Sequence, residues 1–579
     1  MRPYPPQIPD REYDIGDDMQ IKLKKTKKRK KQKNRSLLTA LIFTVFFAFL
    51  VLLRFAVFDK SVSFWRQQGL DARSDMNLII GTEAIGGGVI KNSGIFYIAL
   101  DTVKEYIDPN IYYNPDSGRV IITTDTSVLR FKADETSYLL NDAETELNFP
   151  VLNDEGSIYL PVETVESIYG YGETVFGSGI FSLDPTDTPQ GRLTKKTKLL
   201  IRAGSRDHYA KLPKDTEVYV YSSEENYLLV KCLNDGEYGG YFGYIPEENA
   251  VITKTPSAGE SENTVWKPDG CIDLVFDQIS NAAGAAMTMS ENYKGVNVFC
   301  PTWFSFEDKG GEIINRANKD YVNWAHENGC KVWGLLTDNF DSSVSHAVLS
   351  DDETRHYAIK QILTYAKMYE LDGINIDFEA VPKADGEQWV QFMRELAPLC
   401  HQNGLVLSCD LFVARPWNTH YNRQKIGETV DYVIVMGYDE HYRGSTEAGS
   451  VASMDWSREA LNGTVNAGVP VEKIILGIPF YTRLWTEGEA LESKAYSMDA
   501  AYEIMSENGA DISFDESTEQ DYAEYTDSEG RHRCWLETTK TAEARTRIAK
   551  DGGAAGIAAW KLRMESGDTL AAIADILAE

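Results

Sequence analysis

The ten residues Leu371–Ala380, LDGINIDFEA, place three carboxylates and an amide inside a run otherwise as apolar as a buried strand. Successive side chains of a strand point to opposite faces, so Gly373, Asn375, Asp377 and Glu379 share one side while Ile374, Ile376 and Phe378 share the other. Acidic groups on one face of an apolar strand are expensive to bury without a purpose, and a strand that presents several together is read as a catalytic strand.

Working outward, the flanking sequence repeats the same kind of strand. From Trp266 onward eight apolar segments alternate with helical or irregular stretches: Cys271–Asp277, Gly295–Phe304, Lys331–Phe340, the opening stretch, Leu405–Val413, Tyr432–Glu440, Lys473–Tyr481 and Gly556–Leu562. Alternating strands and helices imply a parallel sheet, and eight of them imply a closed (β/α)8 TIM barrel over residues 266–579. The spacing breaks once, at about 486–547, where the hairpin signal YAEYTDSEGRHRCWLE (Tyr522–Glu537) predicts an α+β insertion. Barrel active sites gather at the C-terminal strand ends, and the polar groups fall there: Asp377 and Glu379 on the fourth strand, Tyr438 and Asp439 on the sixth, Tyr481 on the seventh, Trp560 on the eighth.

Upstream, residues 76–190 contain an echo at an offset of 62, YIALDTVKEY (Tyr97–Tyr106) against YLPVETVESI (Tyr159–Ile168), with short β-rich runs between. A duplicated strand–helix element in a small α+β domain is expected, and the paired pattern resembles the N-terminal domain named after copper amine oxidase. No His/Cys cluster accompanies it, so copper is not implied. Residues 195–254 hold several short alternating strands, as in a small all-β barrel. This segment resembles a bacterial SH3-like domain, with GYFGYIP (Gly240–Pro246) as its closing strand. A small, polar linker, TPSAGESENT, follows.

The N-terminus is different in kind. Residues 1–36 hold twelve Lys and Arg against five Asp and Glu, in a chain of 579 residues with a formal net charge of −30. The basic arm runs directly into an apolar stretch, residues 37–58, whose only charge is Arg54. About 20 such residues span a bilayer, so one N-terminal transmembrane helix is expected, with residues 1–36 cytoplasmic and the remainder extracytoplasmic. A cleaved signal peptide is the alternative, though the run is long for one and no small-residue cleavage site follows. The acidic remainder would repel phosphate, so a nucleic-acid partner is not expected. Seven scattered cysteines lack metal spacing, which leaves buried thiols or at most one disulfide. No zincin, nucleophile-elbow or P-loop motif occurs, so no metal or cofactor is predicted.

Three segments in order resemble the family 18 glycoside hydrolases, the chitinase-like enzymes. DGINIDFE (Asp372–Glu379) is similar to their D-G-x-D-x-D-x-E signature, MGYD (Met436–Asp439) to M-x-Y-D, and GIPFYTRLW (Gly477–Trp485) to G-x-P-x-Y-G-R. The resemblance implies Glu379 as general acid and base, with the substrate's own acetamido oxygen as nucleophile in place of a second enzyme carboxylate. It further implies that Asp377 bonds the acetamido N–H and Tyr438 its carbonyl. Asn375, Met436, Asp439, Tyr481, Arg483 and Trp560 would contact the sugar, Trp560 as an apolar floor unless it merely packs in the core. Asn375 stands where the pattern has Asp, which implies altered pH dependence. Thr482 replaces a Gly, which implies a narrowed subsite. The substrate then carries N-acetylglucosamine, as peptidoglycan and chitin both do; a membrane anchor favours peptidoglycan. The rivals are a non-catalytic glycan-binding or envelope-scaffold protein, and an assembly protein whose small domains are the active part.

Overall fold

The computed structural model describes residues 44–46, 60–74, 76–255 and 265–579. The expected span at 37–58 lies outside these except for the helical residues 44–46. Among the described residues no helix is long and apolar enough to cross a membrane.

The chain separates into two compact units, one made of the described residues of 1–99 and 161–258, the other of 100–160 and the described residues of 259–579. The second holds an eight-stranded parallel barrel: β1 (Ile272–Asp277), β2 (Val298–Pro301), β3 (Lys331–Thr337), β4 (Gly373–Asp377), β5 (Val406–Phe412), β6 (Tyr432–Met436), β7 (Ile474–Pro479) and β8 (Gly556–Trp560). Each pairs with its sequence neighbour in parallel, and β1–β8 pairing closes the ring. The alternation in the opening stretch is now explained. Ile374, Ile376 and Phe378 face outward into the core beneath the helices, fully buried, each worth about 1.5–3 kcal/mol of burial. Inward positions of neighbouring strands fill the barrel with Phe276, Cys300, Trp333, Leu335, Tyr432 and Ile434. At the inward-facing position 373 a side chain has no room, since a Cβ there would meet the Trp333 ring at 2.6 Å.

The helix before β4, Asp352–Tyr369, is capped by the Asp351 side chain accepting from the Thr354 N–H, and it ends where Glu370 turns left-handed at φ 57. Asp372 then anchors the start of β4 from outside the barrel: it accepts hydrogen bonds from Lys331 Nζ at 2.8 Å and the Val332 N–H at 2.9 Å. It is the one carboxylate of LDGINIDFEA with a purely architectural place.

The insertion after β7 is a five-stranded antiparallel sheet with one helix. Its strands span Tyr481–Glu487 to Arg531–Leu536, and Met498–Glu507 packs on it. It begins earlier and ends earlier than the expected 486–547, because Tyr481 leaves β7 straight into the new sheet and the helix Thr539–Asp551 belongs to the barrel, packed on β7 and β8. Residues 100–160 contribute a five-stranded meander from Tyr112–Asn114 to Ala143–Glu146. From it Arg130 reaches the barrel helix Gly386–Gln402 and pairs with Glu395 at 2.6 Å, both fully buried.

In the first unit, Asn77–Ile80, Glu83–Gly86, Tyr171–Phe176 and Ile180–Pro185 form a four-stranded sheet. A seven-stranded antiparallel sheet covers Gln190–Lys254, in which Phe242–Pro246 sits between two other strands and Ala250–Lys254 follows it, so GYFGYIP is not the last strand. Lys231 is fully buried here, satisfied by Asp184 at 2.5 Å and Ser182 at 2.8 Å. The echoed segments each form a strand followed directly by a helix, Ile95–Ala99 with Leu100–Tyr106 and Ser157–Pro161 with Val162–Tyr169. All seven cysteines are free thiols.

Candidate active site

A cavity of about 660 Å³ opens at the C-terminal ends of the barrel strands. Its walls include Asp377, Glu379, Met436, Tyr438, Asp439, Tyr481 and Trp560, so seven of the nine residues singled out in the sequence meet there. The other two stand behind it. Asn375 lies fully buried one step down β4, and Arg483 approaches Asp439 at 3.9 Å without lining the cavity. Thr482 faces away, its hydroxyl donating to the Trp535 carbonyl at 2.5 Å inside the inserted sheet. Its side chain therefore supports the insertion and narrows no subsite.

The electrostatics are set by burial and by crowding of like charges. Glu379 has its pKa pushed up to about 8, first by burial and then by the carboxylates of Asp377, Asp338 and Asp439. It is accordingly protonated at neutral pH and able to give that proton away. Asp377 is raised well above the ordinary carboxylate range, by burial and then by Asp410 and Asp338. Tyr438 stays a neutral phenol, held up by burial and by the acidic groups around it. Tyr481 donates to Asp439 Oδ1 at 2.6 Å and meets the Tyr438 ring edge-on at 6.3 Å, which fixes the β6 and β7 corners against each other. Trp560 packs on Phe276 at 5.4 Å and is only part-buried, so it serves the core with one side and the cavity with the other.

Two carboxylates central to the geometry were not singled out in the sequence. Asp338, just past β3, is fully buried and accepts from Ser345 Oγ at 2.7 Å, the Phe340 N–H at 3.0 Å and the Ala380 N–H at 2.9 Å. Asp410, on β5, lines the cavity and accepts from Asn375 Nδ2 at 2.9 Å. Both lie at inward or terminal positions of strands the apolar pattern had located, and the period of two that exposed Asp377 would have exposed Asp410. Three aromatic side chains flank the opening and are more than half exposed: Phe340, Trp417 and Tyr442.

Residues 290–565 match the family described as glycosyl hydrolases family 18, and residues 87–175 match the copper amine oxidase N-terminal domain. An uncharacterized glycosylase, YvbX, of Bacillus subtilis (strain 168) is 26% identical over 292 residues, 48% of this chain and 84% of the relative. The cortical fragment-lytic enzyme of the same organism is 27% identical over 241 residues, 40% of this chain and 56% of that relative. The solved Bacillus cereus spore cortex-lytic enzyme SleL superposes with a TM-score of 0.49 at 20% identity, covering 54% of this chain and 76% of that one.

Proposed function

From the premise of a family 18 glycosyl hydrolase domain, we propose that this chain cleaves β-linked N-acetylglucosamine glycans with retention of configuration, and that peptidoglycan is its substrate in preference to chitin. The observation that carries the reading is Glu379, a cavity-lining carboxyl made a neutral-pH acid by burial and by Asp377 beside it.

In the proposed reaction Glu379 gives its proton to the glycosidic oxygen as the C1–O bond breaks, while the substrate's acetamido oxygen attacks C1 from the opposite face. Asp377, as an anion, holds the acetamido N–H of the resulting oxazolinium, and Tyr438 donates to the acetamido oxygen. The Glu379 carboxylate then takes a proton from water, which opens the ring at C1 and restores the acid. Trp560 gives the sugar an apolar floor. Asp439, oriented by Tyr481, meets its hydroxyls.

The peptidoglycan preference draws support from the relative named as a cortical fragment-lytic enzyme and from the basic arm and apolar run at residues 1–58, which we propose to be a cytoplasmic arm and a membrane anchor. Such an anchor would hold the barrel next to the cell's own envelope. The test is reducing-end release and product mass from purified peptidoglycan and from chitin oligomers, with the anomer of the first product read by NMR. Cleavage that yields β-anomers, is lost in Glu379→Gln and is blocked by a thiazoline mimic of the intermediate is expected. Inverted anomers, or equal cleavage by the variant, would overturn the mechanism.

A further inference from the structure

We propose that Asp410 is a positioning residue for this reaction: paired with Asp377 it keeps one shared proton in the barrel floor, and it supplies from β5 the carboxylate that the D-x-D-x-E pattern would carry at position 375. The proposal rests on the hydrolase reading above.

Strand register brings the two groups together. In the parallel β4–β5 ladder Asn375 lies opposite Ser408 and Ile376 opposite Cys409, so the next rung sets Asp377 beside Asp410, both on inward-facing positions. Asn375 ties the rungs. Its Nδ2 donates to Ser408 Oγ at 3.1 Å and to Asp410 Oδ1 at 2.9 Å, which occupies both amide hydrogens and fixes the orientation of the Asp410 carboxyl. Asp at 375 would set a third carboxylate against these acceptors, and the amide is the isostere that turns the contact into a hydrogen bond. Asn375 Oδ1 and Asp377 Oδ1 are both buried without a partner, two acceptors in need of a donor.

The groups facing this floor are Asn375, Asp377 and Glu379 on β4, Cys300 on β2, Asp338 after β3 and Tyr438 after β6, while Cys409 of β5 points outward into the core under the helices. Every charged group that perturbs Asp377, Asp410 or Glu379 is itself a carboxylate. Arg423 lies on the outer side, beside Cys409, and bonds backbone carbonyls. Two buried carboxyls without a cation cannot both ionise, so one proton stays with the pair. Before substrate arrives it rests on Asp377, where it gives the unpartnered oxygens a donor. When the oxazolinium forms, the Asp377 O–H bond breaks and an Asp410 O–H bond forms, which leaves Asp377 anionic against the cationic ring. When water opens the ring, the proton returns. The pair ends as it began, with no outside acid or base.

The experiment compares the full chain with Asp410→Asn, the double variant Asn375→Asp/Asp410→Asn and Glu379→Gln, measuring kcat and KM against pH on a fluorogenic N,N′-diacetylchitobioside and on purified peptidoglycan, with melting curves beside them. Asp410→Asn should lower kcat about 100-fold with KM nearly unchanged and should remove one ionisation from the kcat profile, because it acts only once positive charge develops. The double variant, with the carboxylate returned to β4, should recover at least about tenfold of that loss. A kcat within about threefold of wild type and an unchanged profile in Asp410→Asn would overturn the proposal, as would failure of the double variant to recover activity while folded. Should Asp410→Asn alone not fold, the double variant decides: near-wild-type turnover supports the shared proton and loss of turnover rejects it. A wild type no more active than Glu379→Gln would instead remove the hydrolase reading itself.

Discussion

Asp338 holds the backbone immediately after Glu379: its Oδ2 accepts the Ala380 N–H at 2.9 Å while its Oδ1 accepts the Phe340 N–H at 3.0 Å. The end of β3 thereby sets the direction in which β4 delivers its acid. Asp338→Ala should lower kcat by about one to two decades and stability by about 1–3 kcal/mol, since it removes the acceptor of the Ala380 and Phe340 N–H groups and of the Ser345 hydroxyl. Asp338→Asn should spare more stability than activity. Denaturant melts run beside steady-state kinetics separate the two effects.

Glu379 makes stability and activity pull in opposite directions. Its folded pKa of about 8 lies above the ordinary carboxylate value, so its contribution to stability is fully present below about pH 4.5 and is lost as pH rises through about 8. Glu379→Gln should therefore melt higher than wild type at pH 8–9 and nearly level with it at pH 5, while kcat falls by about 100- to 10,000-fold. The wild-type rate itself should decline above about pH 8, as the acid loses its proton. Melting temperature across the pH range checks the first, and an activity profile the second.

Glu395 sits between two arginines, with Arg130 Nη2 at 2.6 Å and Arg355 Nε at 2.8 Å, all of them fully buried. Burial acts to raise its pKa, but Arg355 and Arg130 together outweigh that and hold the carboxyl below its usual range. Removing Arg130 as Ala should cost about 3–5 kcal/mol, the penalty for breaking a buried pair from one side. The sign for acid is the reverse of that for Glu379: stability from Glu395 is present above the ordinary carboxylate pKa and is lost as pH falls. Arg130→Ala should flatten the acid limb of the stability profile, measured by urea melts between pH 3 and 7.

Phe340, Trp417 and Tyr442 flank the cavity with more than half of their surface exposed, an arrangement suited to stacking on sugar faces. Alanine at any one should weaken binding of a long glycan up to about tenfold, on the scale of 0.5–1.5 kcal/mol for an aromatic contact. Turnover of a short fluorogenic substrate should change little. KM for chitin oligomers of increasing length provides the measurement.

The barrel was legible because its signal is local. Each strand is an apolar run with its own boundaries, and the period of two places Asp377 and Glu379 on one face without knowledge of any neighbour. Asp410 and Asp338 were not singled out because each is the lone acid in its run, LVLSCDLFV and KVWGLLTDNF: the period of two assigns Asp410 a face but sets no second acid on it, and Asp338 falls past the end of its strand. Their significance comes from register: Asp410 matters because β5 sets it two rungs above Ser408, beside Asp377. Arg483 and Thr482 were drawn toward the site by a motif, yet the chain leaves β7 at Tyr481 for the inserted sheet and carries Thr482 with it. The association of residues 100–160 with the barrel had no local trace either, since Arg130 and Glu395 stand 265 positions apart.

The same pair determines how this chain can be divided. A segment cut to the family match at 290–565 would lose β1, leaving β2 and β8 as open sheet edges, and would also lose the closing helix Thr569–Ala578. A cut at 265 would keep the ring and still leave Glu395 facing an empty place where Arg130 had been. The catalytic barrel is therefore not a portable cassette: recombination that moves it to another protein must carry the meander of residues 100–160 along, although that meander contributes nothing to the cavity's walls.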